Sequence, residues 1–288
     1  MFAIFKKELR SFFLTPTGYI FMSLFLLLTG IFFVTGNLFA LNSNLNSGFI
    51  SSAMFIFMLV SPVLTMKLLS DEQRFKTDQL LLTSPVRIID IVLGKYLAAM
   101  AFFGITLSIT LLYAVIIGFY GDLIISETIG GYLGFLLMGA VFVSIGLFIS
   151  GTTENQVVAA IVTFAVLLLM WLTEMIVGSL PTNQTAGLVF ASVLASAITA
   201  WLYLSTRNII IGVSVFLAAA AGIGLSFALK PGLYVGFIAK VMNWFSVLSR
   251  FPDFAKGYIR FSDLIYYLTL SGLFVFLTVR VIEKRRWS

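Results

Sequence analysis

The chain has 288 residues, 60% apolar and only 10% charged; a soluble domain carries about 25% charged residues, so this chain cannot face water over most of its surface. Its net charge of +6 is spread between apolar blocks rather than gathered in one patch, which argues against a nucleic-acid partner and suits anionic lipid and membrane orientation. Cys and His are both absent, which excludes disulfides and thiol nucleophiles and leaves no metal ligands for the usual zinc, haem or triad chemistry.

The first element is a basic amphipathic helix within residues 1–18. Phe2, Phe5, Leu9, Phe12 and Phe13 recur at helical spacing, and Lys6, Lys7, Glu8, Arg10 and Ser11 fill the other side. Such a helix lies in the inner headgroup layer, as an anchor or as an elbow that also touches a cytoplasmic partner. Thr15-Pro16-Thr17-Gly18 then turns the chain into the membrane.

Crossing the bilayer takes about 20 apolar residues. Blocks of that kind fall at residues 19–41, 48–69, 94–120, 131–150, 157–178, 186–205, 209–229 and 264–282. The first is too long for the apolar core of a signal peptide, so it is a retained helix. The sixth and seventh blocks are separated only by Thr206-Arg207-Asn208 and could also form a re-entrant hairpin. Lys6, Lys7, Arg10, Lys67, Arg74, Lys76, Arg87, Lys95, Arg207, Arg280, Lys284, Arg285 and Arg286 then share one side. Lys230, Lys240, Arg250, Lys256 and Arg260 share the other, in one long connection, and the short connections on that side carry no base. The basic bias places both termini in the cytoplasm.

The connection from 70 to 96 is the most informative water-facing stretch. It mixes Asp71, Glu72, Asp78 and Asp90 with Arg74, Lys76, Arg87 and Lys95. Ser70 or Asp71 can cap a short helix, Leu80-Leu81-Leu82 gives it an apolar surface, and Ser84-Pro85 ends it. From Val86 a second helix feeds the third span. A plain connection needs only a handful of residues; this one is longer and patterned, which suggests that something docks on it.

Three features of the spans carry further expectations. Pro62 removes a backbone hydrogen bond and marks a kink. Gly130-x-x-x-Gly134 permits close helix packing, with a second subunit as one use. Glu174 is the clear ionisable group inside a span; it sits about 6 Å from the outer end by helix rise, either snorkelling to the headgroups or touching cargo or a partner. In the outer segment 230–262, Phe237, Ile238, Val241, Met242, Phe245 and Leu248 alternate with Lys240, Asn243 and Arg250, with Tyr234 and Trp244 suited to a headgroup boundary. This predicts one or two helices on the outer leaflet, a lid or the hold of an extracytoplasmic accessory protein.

The run Glu72, then Thr77-Asp-Gln-Leu-Leu-Leu-Thr-Ser-Pro85, followed by Ile91-Val-Leu-Gly94-Lys95, resembles the cytoplasmic loop of ABC type-2 transporter permeases. The opening Phe-Lys-Lys-Glu-Leu-Arg with Pro16 is similar to that family's start. Asp263-Leu-Ile-Tyr-Tyr-Leu with Glu283-Lys-Arg-Arg-Trp287 resembles the branch of gliding-motility and copper-enzyme-maturation permeases. Lys76 stands where the family usually has Gly and Gln79 where it often has Glu, and the usual six-span core is exceeded by an extra pair and a long outer segment.

The resemblance implies an all-α polytopic bundle of about eight membrane helices with an elbow helix, a single permease domain with a coupling loop at 70–93. It implies cytoplasmic ATPase subunits docking through Glu72, Arg74, Thr77, Gln79, Leu82 and Pro85, and a second permease subunit, identical or related. The chain has no Gly-x-x-x-x-Gly-Lys-Ser/Thr, the loop that cradles phosphates, so it binds no cofactor itself, and ATP and magnesium belong to the partner. The expected function is the permease of an exporter in the cytoplasmic membrane. A membrane anchor coupling an ATPase to an outer complex, and an ion-driven transporter, are the alternatives; the spans lack the midplane acids the latter normally uses.

Overall fold

The computed structural model describes residues 1–77, 86–206 and 209–287. Backbone groups find no water in hydrocarbon, so a spanning chain must satisfy them within helices or a closed barrel. Every regular element among the described residues is helical. In chain order these are α1 (Phe2–Leu14), α2 (Pro16–Phe33), α3 (Ser51–Thr65), α4 (Ser70–Arg74), α5 (Ile88–Ile109), α6 (Leu111–Tyr120), α7 (Ile125–Thr152), α8 (Gln156–Val177), α9 (Gln184–Thr206), α10 (Ile209–Leu229), α11 (Phe237–Phe245), α12 (Phe251–Ala255) and α13 (Phe261–Trp287). Single π-helical turns extend α2 at Val34–Leu38 and precede α3 at Asn46–Ile50.

Seven helical runs among the described residues are long and apolar enough to cross a membrane. Val213–Leu229, within α10, is a shorter apolar helix. The third run, Ile88–Tyr120, has 33 residues, or about 50 Å of helix against roughly 30 Å of hydrocarbon. The run is therefore longer than the membrane core requires.

The chain forms two compact units. The larger, Met1–Leu169 with Arg250–Ser288, is built around α7, 78% of whose most apolar stretch is buried against 11% for α8 and for α9. An aromatic cluster fills it: Phe21 and Phe25 of α2, Phe57 of α3, Phe103 of α5, and Phe135 and Phe142 of α7 are all fully buried. Phe57 lies 4.2 Å from Phe103 and meets Phe135 edge-on at 5.7 Å, geometries that suit the ring quadrupoles. Helix α5 breaks at Thr110, whose carbonyl accepts from the Tyr132 hydroxyl of α7 at 2.8 Å; the sequence reads this stretch as uninterrupted. Pro62 sits inside the continuous helix α3.

Gly130 and Gly134 have a use inside the chain. A Cβ at Gly130 would strike the Phe254 carbonyl, and one at Gly134 would lie 2.7 Å from the Phe254 Cβ. The stripe therefore receives α12, so the close packing read from Gly130-x-x-x-Gly134 is used within the chain. Asn46 fastens the same corner, donating from Nδ2 to the carbonyls of Glu127 (2.8 Å) and Ala255 (2.6 Å).

The smaller unit is Met170–Ser249. Here α9 and α10 are consecutive helices, and the Tyr234 hydroxyl bonds Ser226 Oγ of α10 at 2.6 Å. Phe237 of α11 faces Phe190 of α9. The segment expected as one outer piece at 230–262 is thus divided, with α11 in this unit and α12 in the larger one.

Candidate functional site

The elements preceding the third span converge at one end of the larger unit. Helix α1 packs on α5: Phe12 and Phe13 meet Phe102 at 5.0 and 5.1 Å, stacked and edge-on. The apolar stripe read as facing lipid is therefore partly spent on protein, while Lys6, Lys7 and Arg10 stay exposed.

A buried cation lies beneath α1. Lys95 of α5 is 2% exposed, and its Nζ contacts Glu8 of α1 at 3.1 Å and Glu72 of α4 at 2.8 Å. An ammonium out of water is costly unless paired; here two carboxylates from separate elements pair it. Beside it is a cavity of about 210 Å³ whose lining includes Ser11, Thr15, Lys67 and Asp71.

Helix α4 is capped from a distance. No side chain caps its N-terminus from within; Ser70 Oγ instead donates back to the Met66 carbonyl. The backbone N–H groups of Leu69 and Ser70 both reach Ser150 Oγ of α7 at 3.1 Å. Ser150 donates in turn to the Met66 carbonyl at 3.0 Å. Gln73 Nε2 donates to the Gly151 carbonyl at 2.9 Å, and Asp71 accepts from Gln156 Nε2. Residues 70–73 thus all bond inward, onto α3, α5, α7 and the start of α8.

The chain then turns abruptly. Lys76 has φ +55°, the left-handed region where a side chain costs about 1 kcal/mol and glycine costs nothing. Arg74, Phe75, Lys76 and Thr77 are exposed.

Of the residues expected to meet an ATPase, Glu72 points inward onto Lys95, whereas Arg74 and Thr77 face outward. Gln79, Leu82 and Pro85, with the Leu run and the Ser-Pro stop, lie outside the described residues. Sequence reasoning missed Glu8, Lys95, Gln73, Ser150 and Phe75 as parts of this joint. One signal was present: Glu8 is the lone acid of a basic helix. Ser150 carried none, because its hydroxyl matters only once α7 is placed beside α4. Glu174 is exposed in the last turn of α8, near the end as its position in the sequence implies. Among the described residues no group of three or more Asp or Glu side chains could hold a metal ion.

The sequence model of a family described as ABC-2 family transporter protein matches residues 8–216. That stretch contains the whole joint and stops inside α10, before the C-terminal motif. No curated protein and no solved structure matches the chain.

Proposed function

The chain belongs to the ABC-2 transporter family as a membrane-spanning permease component, and we propose that it exports cargo across the cytoplasmic membrane on ATP hydrolysed by a separate ATPase subunit. A second permease, identical or related, completes the path. Both termini and the joint at α4 face the cytoplasm, following the basic residues. ATP and magnesium stay on the ATPase, since this sequence lacks a phosphate-binding loop.

The observation that carries this reading is the way α4 is held. It hangs from α3, is clasped by Ser150 and Gly151 of α7, and shares Lys95 with α1 and α5. A push on α4 from below is therefore delivered to several helices at once, as a rigid-body transition requires.

The test is co-purification of an ATPase subunit with this chain, followed by reconstitution of the two. ATP turnover and cargo movement should need both proteins. Replacing Thr77, Gln79 and Leu82 together should release the ATPase while the permease stays inserted. Full retention of the ATPase and of its turnover by that variant would remove the loop from the mechanism.

A further inference from the structure

The cavity beneath α1 is lined by charges of both signs. Glu8 and Glu72 share the buried ammonium of Lys95, and Asp71 lines the cavity with them. Lys67 lines it as well, and it takes part in none of the ion pairs among the described residues. The rest of the polar lining belongs to the bend between α1 and α2. The Ser11 hydroxyl is there, and the hydroxyls of Thr15 and Thr17 lie 3.1 Å apart. Thr15 is the N-cap of α2, and no side chain caps that helix. Its first backbone N–H groups therefore keep their capacity to donate, at the positive end of the helix dipole.

We infer that this cavity holds the headgroup of a zwitterionic phospholipid of the ethanolamine type, its phosphate on Lys67 and the start of α2 and its ammonium on the carboxylates. Charge complementarity selects that class. Three carboxylates against two ammonium groups line the cavity, so a purely anionic headgroup adds to an existing excess. A bare cation leaves Lys67 and the α2 dipole without a partner. A quaternary ammonium has no N–H to donate and is held by cages of aromatic rings, whereas Phe12 is the one ring among the described lining residues. The volume of about 210 Å³ lies below the roughly 300–1,000 Å³ of pockets for drug-sized ligands and suits a headgroup. The place suits a lipid. The first run of crossing length begins at Pro16, and Lys67 is the first charge in the second, so the cavity sits where apolar runs give way to charge, as headgroups do. The buried Leu64 and Leu68 complete its lining and receive the less polar glycerol end. The inference needs only that these runs cross a bilayer and stands apart from the transport reading.

The test uses the full-length chain, stripped of lipid in detergent and offered an equimolar mixture of phosphatidylethanolamine, phosphatidylcholine and phosphatidylglycerol. Native mass spectrometry should show one phosphatidylethanolamine retained per chain, favoured over each of the others by about tenfold or more, as hydrogen bonds to charged groups allow. Lys67→Ala should lower that retention by about tenfold, and Ser11→Leu, which fills the cavity, should abolish the preference. Equal retention of the three lipids overturns the inference, since it describes an unselective shell. A preference for phosphatidylglycerol overturns the zwitterionic assignment, and unchanged selectivity in both variants overturns the site. If soluble phosphoethanolamine raises the melting temperature as far as the lipid does, the occupant is a free solute and the lipid assignment falls. Melting without lipid checks that each variant folds; the two substitutions lie on different elements, so either one decides if the other unfolds.

Discussion

At the residue scale, Lys95 holds the least replaceable charge of the joint. Its ammonium is buried and meets Glu8 and Glu72, so Lys95→Met leaves two carboxylates facing each other without a cation. Breaking a buried pair from one side costs about 3 kcal/mol or more; the carboxylates keep 15% and 16% exposure, which lowers the expectation toward about 2 kcal/mol. Thermal unfolding in detergent should show the drop, and adding Glu8→Gln and Glu72→Gln to the same variant should recover much of it. Lys76→Gly should act in the other direction, raising stability by about 1 kcal/mol through relief of the left-handed strain, measurable in the same assay. The pairing of Lys95 with Glu8 was not legible, because a lysine near the start of an apolar helix reads as an orientation signal until the elbow helix is laid across it.

At the element scale, α4 is too short to stand alone. Five residues cannot offset the cost of nucleating a helix, so its existence depends on bonds from α7. Ser150→Ala removes the acceptor for the Leu69 and Ser70 N–H groups, and stranded buried donors cost about 1–3 kcal/mol. Hydrogen exchange should speed up first at residues 69–73. The glycine stripe gives a second element-scale outcome. Gly134→Leu should drive α12 off α7, since even a Cβ would lie 2.7 Å from that of Phe254; overpacking of this kind costs about 1–3 kcal/mol. Stability should fall while the oligomer size on a native gel stays the same. The sequence pattern shows that helices pack closely at Gly130 and Gly134 but not which helix arrives.

At the scale of the whole molecule, the distribution of bases sets the expected orientation. The chain has no cysteine, so a single engineered thiol reports sidedness directly. Asp122→Cys should react with an impermeant maleimide from outside intact cells, and Thr77→Cys should react only after permeabilisation; both positions are exposed. The reverse pattern would place the joint outside and end the coupling proposal.

The sequence by itself determined the solvent, the element type and the approximate spans. These follow from composition and run length: a chain with so few charges must bury its backbone in helices within lipid, and the length of each apolar run marks a crossing. It also marked the stretch after the second span as the place of interest, because charge there exceeds what a connection needs. The tertiary structure alone decided how that stretch is held and which of its residues turn outward. Glu72 and Arg74 are both charged and only two positions apart, and no local pattern says that one meets a buried lysine while the other faces water. That distinction comes from long-range neighbours, Lys95 and Ser150 above all, whose partners are set by packing across the fold rather than by spacing along the chain.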